Sequence, residues 1–284
     1  MKIAVLSGKG GVGKTLVSTN LTNILSKYTK IELLDCDVEE PNSNIFFNFE
    51  FNKKEKINLL VPEIDNQKCT KCGLCADSCQ FGAINVFNHG VMVFNSLCHG
   101  CGVCSIVCPH EAISEKEKSI GTIEYGQKNN IYFGQGLLNI GEPSGVKIIR
   151  TLKKHSKNLN LQILDAPPGA SCSVVETLKN MNYAIIVIES TPFGFHDMKS
   201  VIEICQKMGL KMGIIINRYD KDYTEIEEYL NKNNIEILEK IPFSKEIALM
   251  YSKGELISQN DKYKIIFQNI LNKIGVVQWS KYLL

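Results

Sequence analysis

Short, unbroken apolar runs alternate along this chain with stretches of helical periodicity. Residues 2–7 (KIAVLS), 31–35 (IELLD), 161–165 (LQILD), 184–189 (AIIVIE) and 212–216 (MGIII) are largely apolar at consecutive positions, as strands buried on both faces are. Between them, Thr15 to about Lys27, Val174–Met181, Phe195–Met208 and Tyr223–Asn231 space their apolar side chains at helical intervals. Residues 262–274 (KYKIIFQNILNKI) read as a last helix packed on the sheet. Buried strands alternating with helices predict an α/β fold with a doubly wound, mostly parallel sheet.

Residues 65–115 break this rhythm. They hold eight of the eleven cysteines in two runs of one spacing, C-x2-C-x2-C-x3-C: Cys69, Cys72, Cys75 and Cys79, then Cys98, Cys101, Cys104 and Cys108. The runs form an internal repeat at an offset of 29 (98 − 69 and 108 − 79), and Ala83-Ile84 maps onto Ala112-Ile113. Half a repeat built around four thiolates is too small for an apolar core, so metal must supply its folding energy. The segment reads as a bacterial-type ferredoxin-like (α+β) domain at 65–115, inserted between 1–64 and 116–284 of the α/β domain. On this reading 57–64 (INLLVPEI) leads in, and 119–134 (SIGTIEYGQKNNIYFG) returns as strands.

Such spacing is an iron–sulfur signature. In two-cluster ferredoxins the fourth cysteine of each run ligates the other cluster. That rule groups Cys69, Cys72, Cys75 and Cys108 on one 4Fe–4S cluster, and Cys98, Cys101, Cys104 and Cys79 on the other. Zinc is the alternative for four thiolates, although zinc sites usually pair two C-x2-C units. Gln80 stands where Pro109 follows the second run, which bears on the loop around Cys79.

The other chemical motif lies at the N-terminus. Gly8-Lys9-Gly10-Gly11-Val12-Gly13-Lys14-Thr15 fits G-x-x-x-x-G-K-[ST] directly after a predicted strand and before a predicted helix. Glycines let backbone N–H groups close on phosphates at a helix N-terminus, where the helix dipole also favours anions. Lys14 is expected to reach the β- and γ-phosphates of ATP, and the Thr15 hydroxyl to bind Mg²⁺.

The K-G-G-x-G-K-T run, with its second lysine Lys9, resembles the deviant Walker A motif of the MinD/ParA/Mrp P-loop ATPases, a group that includes the nitrogenase iron protein. The resemblance implies an ATP-sandwich homodimer in which Lys9 reaches the partner's nucleotide. It also implies roles for two further segments. Asp35-Cys36-Asp37-Val38-Glu39-Glu40-Pro41-Asn42 looks like switch I, with Asp37 positioning the attacking water near Mg²⁺. Asp165-Ala166-Pro167-Pro168-Gly169 resembles Walker B with switch II, with Asp165 holding Mg²⁺ through water and the Gly169 N–H sensing the γ-phosphate. Asn217 matches an adenine-recognising asparagine, and Pro242 belongs to a matching Ile241-Pro242-Phe243 run. Leu16 departs from the family, which usually has a hydroxyl residue there. An aspartate at a strand end can also simply cap a helix.

Composition narrows the setting. Thirty-two basic and 30 acidic side chains are interspersed, for a net charge of +2, so nucleic acid is a poor expected partner. No uncharged run reaches the ~20 residues of a membrane span, and the start lacks the pattern of a signal peptide. Tight cysteine tetrads without such a leader suggest reduced thiolates and a cytoplasmic setting. Cys36 and Cys205 read as small buried hydrophobes. Cys172, seven residues beyond Asp165, also reads as a buried thiol, with a ligand role at a dimer axis as the lesser alternative, since 139–146 offers no second cysteine. The apolar tail VVQWSKYLL, with Trp279, lacks the dense basic face of a membrane-binding helix.

Taken together, the motifs lead to an ATPase in which ATP closes a homodimer and hydrolysis reopens it. That cycle would gate electron transfer from the clusters to a partner protein or metallocluster. The alternatives are an assembly or carrier ATPase that delivers clusters to an apo-metalloprotein, and a positioning ATPase with structural clusters.

Overall fold

The computed structural model describes residues 1–276; the tail beyond Val276, with Trp279, lies outside them. In chain order the elements are β1 (Lys2–Leu6), α1 (Lys14–Leu25), β2 (Ile31–Asp35), β3 (Phe51–Ile64), α2 (Leu74–Asp77), β4 (Ile84–Phe87), β5 (Gly90–Val93), α3 (Val103–Ile106), β6 (Ile113–Lys128) and β7 (Ile131–Leu138). There follow α4 (Val146–Lys154), β8 (Gln162–Asp165), α5 (Cys172–Leu178), β9 (Tyr183–Glu189), α6 (Pro192–Lys207), β10 (Lys211–Tyr219), α7 (Glu225–Lys232), β11 (Glu236–Pro242), α8 (Lys245–Ser252) and α9 (Asp261–Lys273). Nine strands form one sheet in the order β11-β10-β9-β1-β8-β2-β7-β6-β3. It is parallel from β11 to β7, and β6 and β3 run antiparallel at one edge.

Side chains of a strand alternate between its faces, and both faces are covered here. Ile3 and Val5 pack into one core with Leu21 of α1 and Phe267 of α9. Ala4 and Leu6 pack into the other with Ile148 of α4, Val174 of α5, Val201 of α6 and Leu230 of α7. The strands read as continuous apolar runs for this reason. β11 was not singled out in the sequence because charged side chains interrupt EILEKIP, as befits an edge strand.

The last two strands at the antiparallel edge form a long hairpin, paired from Phe51↔Gly126 to Ile64↔Ile113. Its ladder runs through the domain boundary expected at 115/116 and ends at the one expected at 64/65, and the cysteine-rich residues 65–112 grow from its tip. The 29-residue repeat is structural as well. The pair Ile84↔Val93 in the β4–β5 hairpin corresponds to Ile113↔Ile64 (84 + 29 and 93 − 29). The bond from Phe94 N–H to Ala83 C=O likewise corresponds to that from Asp65 N–H to Ala112 C=O, both 2.8 Å. α2 maps onto α3. Left-handed backbone recurs too, at Lys71 and Gly100, Gly73 and Gly102, and Gly82 and Glu111.

Candidate functional site

The loop after β1 turns into α1 through Gly13, whose φ of +103° suits glycine, and a Cβ there would come within 2.4 Å of Asn217 Nδ2. Gly8 is pinned likewise, since its Cβ would meet Asp197 Cβ at 2.4 Å. The loop forms one wall of a cleft of about 540 Å³ at the C-terminal ends of the parallel strands, the end at which open α/β sheets bind ligands. Gly10, Gly11, Gly13, Lys14 and Thr15 line it together with Asp37, Glu39 and Asn42 and with Asn217, Arg218, Pro242 and Phe243. Val12 is buried behind the loop. Leu16, the departure from the family pattern, lines the cleft as an apolar side chain.

Three carboxylates, Asp35, Asp37 and Asp165, gather beneath the loop. Lys14 Nζ lies 3.9 Å from Asp37 Oδ2. Asp35 accepts N–H groups from Asp37 (3.1 Å), Asn42 (3.0 Å) and Ser43 (2.9 Å), which fixes the course of the 37–43 loop. The Ser43 hydroxyl donates to Asp165 Oδ2 at 3.3 Å. Burial, followed by the charge of Asp165, pushes Asp35 up to about 7. Burial also raises Asp37 to about 6, against the pull of Lys14. Asp165 is raised by burial, and Lys14 opposes the shift. Asp165 Oδ1 is buried without a hydrogen-bond partner, in a residue 1% exposed. An orphan carboxylate oxygen beside two more acids and a threonine hydroxyl fits a hard, hydrated cation such as Mg²⁺.

Other expected residues are held in ways that must change before they could act as expected. Gly169 donates its N–H to Ser7 C=O at 2.9 Å. Asn217 donates to Val12 C=O at 2.8 Å, so its amide braces the phosphate loop. Lys9 lies 3.2 Å from Glu189 of its own chain. Arg218 and Tyr251 of the cleft lining, and Ser43 buried behind it, are among the residues that escaped the sequence reading. Tyr251, from α8, lines the cleft with Thr15, and its phenol is raised by burial and then by the charge of Asp165. No local motif marks these residues, because they converge on the cleft from separate loops and helices. Asp35 was visible as the first carboxylate of Asp35-Cys36-Asp37, but its buried role as loop anchor was not.

The eight repeat cysteines gather in two groups of four. Cys69, Cys72, Cys75 and Cys108 line one cavity; Cys79, Cys98, Cys101 and Cys104 line the other. Each group takes its fourth member from the opposite run, as the ferredoxin rule predicts. Backbone N–H groups of Ala83, Gly100 and Ala112 donate to the sulfurs of Cys79 (3.3 Å), Cys98 (3.4 Å) and Cys108 (3.4 Å). The Cys79 and Cys108 turns therefore match despite Gln80. Burial raises the thiols of Cys75, Cys98 and Cys104, a cost that a coordinating metal reverses by taking the thiolate. Among the described residues no three His, Cys, Asp or Glu side chains converge on one metal-ion position. Four thiols spread around a cavity, with N–H donors on sulfur, fit a polynuclear iron–sulfur group better than a single tetrahedral ion.

Cys36 and Cys205 are buried, as expected. Cys172 is not: it is exposed, because it opens α5 on the side turned away from the core, and the buried-thiol reading is corrected. Among the described residues no helix is long and apolar enough to cross a membrane.

Comparison with known proteins bears on the fold and the nucleotide cleft. Residues 3–257 match the family model of the CobQ/CobB/MinD/ParA nucleotide binding domain. An uncharacterised protein of Methanocaldococcus jannaschii is 34% identical over 282 residues, covering 96% of each chain. An iron-sulfur cluster carrier protein of Rickettsia typhi is 25% identical over 253 residues, covering 87% of this chain and 62% of its own. The septum site-determining protein MinD of Pyrococcus horikoshii, solved with Mg-ADP, shares the fold with a TM-score of 0.60 at 18% identity, covering 98% of this chain and 96% of its own.

Proposed function

We propose, from the premise that this chain belongs to the CobQ/CobB/MinD/ParA nucleotide-binding family, that it is an ATPase whose nucleotide cycle acts on iron–sulfur clusters held by its own cysteines, with delivery of a cluster to an apo-protein as the output. The observation that carries this reading is that a phosphate-loop cleft and two interleaved cysteine quartets occupy one chain. A relative named as an iron-sulfur cluster carrier supports delivery as the output. Exposure of Cys72 and Cys101, equivalent positions in the two repeats, supports it too, because an acceptor's thiolates need access to the cluster.

In this reading the loop N–H groups and Lys14 neutralise the triphosphate, while Thr15 and Asp165 hold Mg²⁺. Asp37 orients the attacking water, and Lys9 serves the nucleotide of a second copy. Asn217 and Pro242 flank the base. The cysteine thiolates hold the clusters, which supply electron-transfer chemistry or transferable iron and sulfide when bound. A continuous set of contacts joins the two sites. Leu138 N–H bonds Val38 C=O of the 37–43 loop at 2.7 Å, and Val38 sits against Gly136 and Gly145. From the same 139–145 loop Glu142 pairs with Lys118 at 2.8 Å. Lys118 in turn donates to Asn95 C=O at 3.0 Å, just ahead of Cys98. A change of the switch on nucleotide binding thus has a physical route to the second quartet.

ATP-gated electron transfer is the second reading. Interleaving favours it, since a cluster tied to both halves of the repeat resists release. The deciding experiment incubates reduced, iron-loaded protein anaerobically with MgATP and an apo-ferredoxin, following iron transfer and cluster absorbance together. Iron leaving in an ATP-dependent manner is the expected result. Retained iron, with ATP-dependent oxidation by an added one-electron acceptor such as an oxidised viologen dye, would replace delivery by electron transfer.

A further inference from the structure

Lys9 is the residue on which the proposed dimer depends, yet within the single chain it is already engaged. Its ammonium lies 3.2 Å from Glu189 Oε2. Glu189 closes β9, pairs in register with Asn217 of β10 and is 7% exposed. A second cation reaches the same carboxylate: Arg218 Nη1 donates to Glu189 Oε1 at 2.5 Å. Arg218 is aimed there by its backbone. It holds a left-handed φ of +51°, and its N–H donates to Asn217 Oδ1 at 3.0 Å. A non-glycine residue held in that region is uncommon and needs support from its surroundings.

We propose that Glu189 is a latch that holds Lys9 in its own chain, and that Arg218 makes the latch reversible. This rests on the reading of Lys9 as the residue serving the partner's nucleotide. A buried carboxylate stripped of its only cation is costly. Glu189 is not stripped when Lys9 leaves, because Arg218 stays on its other oxygen. Lys9, with 38% of its side chain exposed, is free to swing out, whereas the carboxylate stays in place. Glu189 is thus a positioning residue. It sets how much binding free energy ATP and a second copy must supply before Lys9 crosses the interface.

The test measures the ATP concentration for half-maximal dimerisation of the iron-loaded protein by light scattering. Monomer ATP affinity is measured separately by calorimetry. Glu189→Gln removes the competing charge and should lower the ATP requirement by about 3- to 10-fold. Arg218→Gln leaves Lys9 as the only cation on Glu189 and should raise the requirement after correction for monomer affinity. Lys9→Ala should stay monomeric with or without Glu189→Gln, since the effect runs through Lys9. Should Glu189→Gln fold poorly, Glu189→Asp, which shortens the reach to Lys9, should give a smaller shift in the same direction. If wild type stays monomeric at saturating MgATP, the dimer reading fails and the latch with it. If wild type dimerises but the Glu189 and Arg218 variants need the same ATP, or the Glu189→Gln shift survives in Lys9→Ala, the latch alone is overturned.

Discussion

The nucleotide cleft and the cysteine-rich hairpin tip both gather charged or metal-seeking side chains, but they stand on different foundations. Beneath the cleft lie two extensive apolar cores, one on each face of the sheet. The side chains at its floor are fixed before any ligand arrives: Asp35 is held by three backbone N–H groups, and Asp165 by Ser43. Beneath the cysteines the buried apolar cluster consists of Val61, Ala83 and Cys98, with Leu59 and Cys79 packed against it. Besides the hairpin ladder, few contacts anchor this tip. Gly100 approaches so closely that a Cβ would lie 2.5 Å from Leu59 Cγ, and Lys118 reaches Asn95. One site is organised by packing and awaits a ligand; the other has thiols and sulfur-directed N–H groups in place over little apolar burial, and in the proposed function metal supplies the rest.

Removing metal should expose this difference most. Chelating the iron anaerobically should cost residues 65–112 metal-derived folding energy on the order of 10 kcal/mol. Hydrogen exchange read by mass spectrometry should then show lost protection there and retained protection in β1, β8 and β9. Loss across the whole chain would mean that the two regions fold as one. The converse lesion is Phe133→Ala, which removes a ring 1% exposed and stacked at 4.5 Å on Phe49. It should lower global stability by about 3–5 kcal/mol while leaving iron per chain unchanged.

Lys14→Ala should weaken ATP binding by at least ~100-fold, about 3 kcal/mol, again without loss of iron; calorimetry and an iron assay check both halves. Cys108→Ala sharpens the tip itself. Interleaving predicts disruption of the cluster on Cys69, Cys72 and Cys75, with the Cys98 group spared, as read by electron paramagnetic resonance. The smallest effect lies outside the lining of both sites. Hydrogen bonds from Arg150 and Lys179 hold Glu176 down at about 2. Its contribution is therefore complete above its unfolded value near 4.5 and is lost as pH falls through about 2. Glu176→Gln should cost roughly 1–3 kcal/mol at neutral pH, and the gap from wild type should close between pH 4.5 and 2 in denaturant titrations.

The same contrast explains what was legible in the sequence. β1, β2, β8, β9 and β10 could be read because strands buried on both faces are apolar at most positions; Glu32 of β2 and Gln162 of β8 are buried as a hydrogen-bonded pair. The phosphate loop and the cysteine runs were legible because each is a local motif whose spacing is its chemistry. β11 and α4 went unread, the first for its Glu and Lys positions and the second for following the glycine- and proline-bearing 139–145 loop. Glu189, Arg218, Ser43 and Tyr251 are invisible to spacing, because tertiary structure alone brings them together. Cys172 misled because residue type predicts burial only on average, and its place at the outward start of α5 decides otherwise.

The most direct measurement is the iron and acid-labile sulfide content of protein purified without oxygen, taken before and after MgATP and an apo-acceptor are added. The account predicts about eight irons and eight sulfides per chain, falling in the presence of hydrolysable ATP as the acceptor gains them. A chain that carries zinc or no metal, or whose iron content is indifferent to ATP, would contradict it.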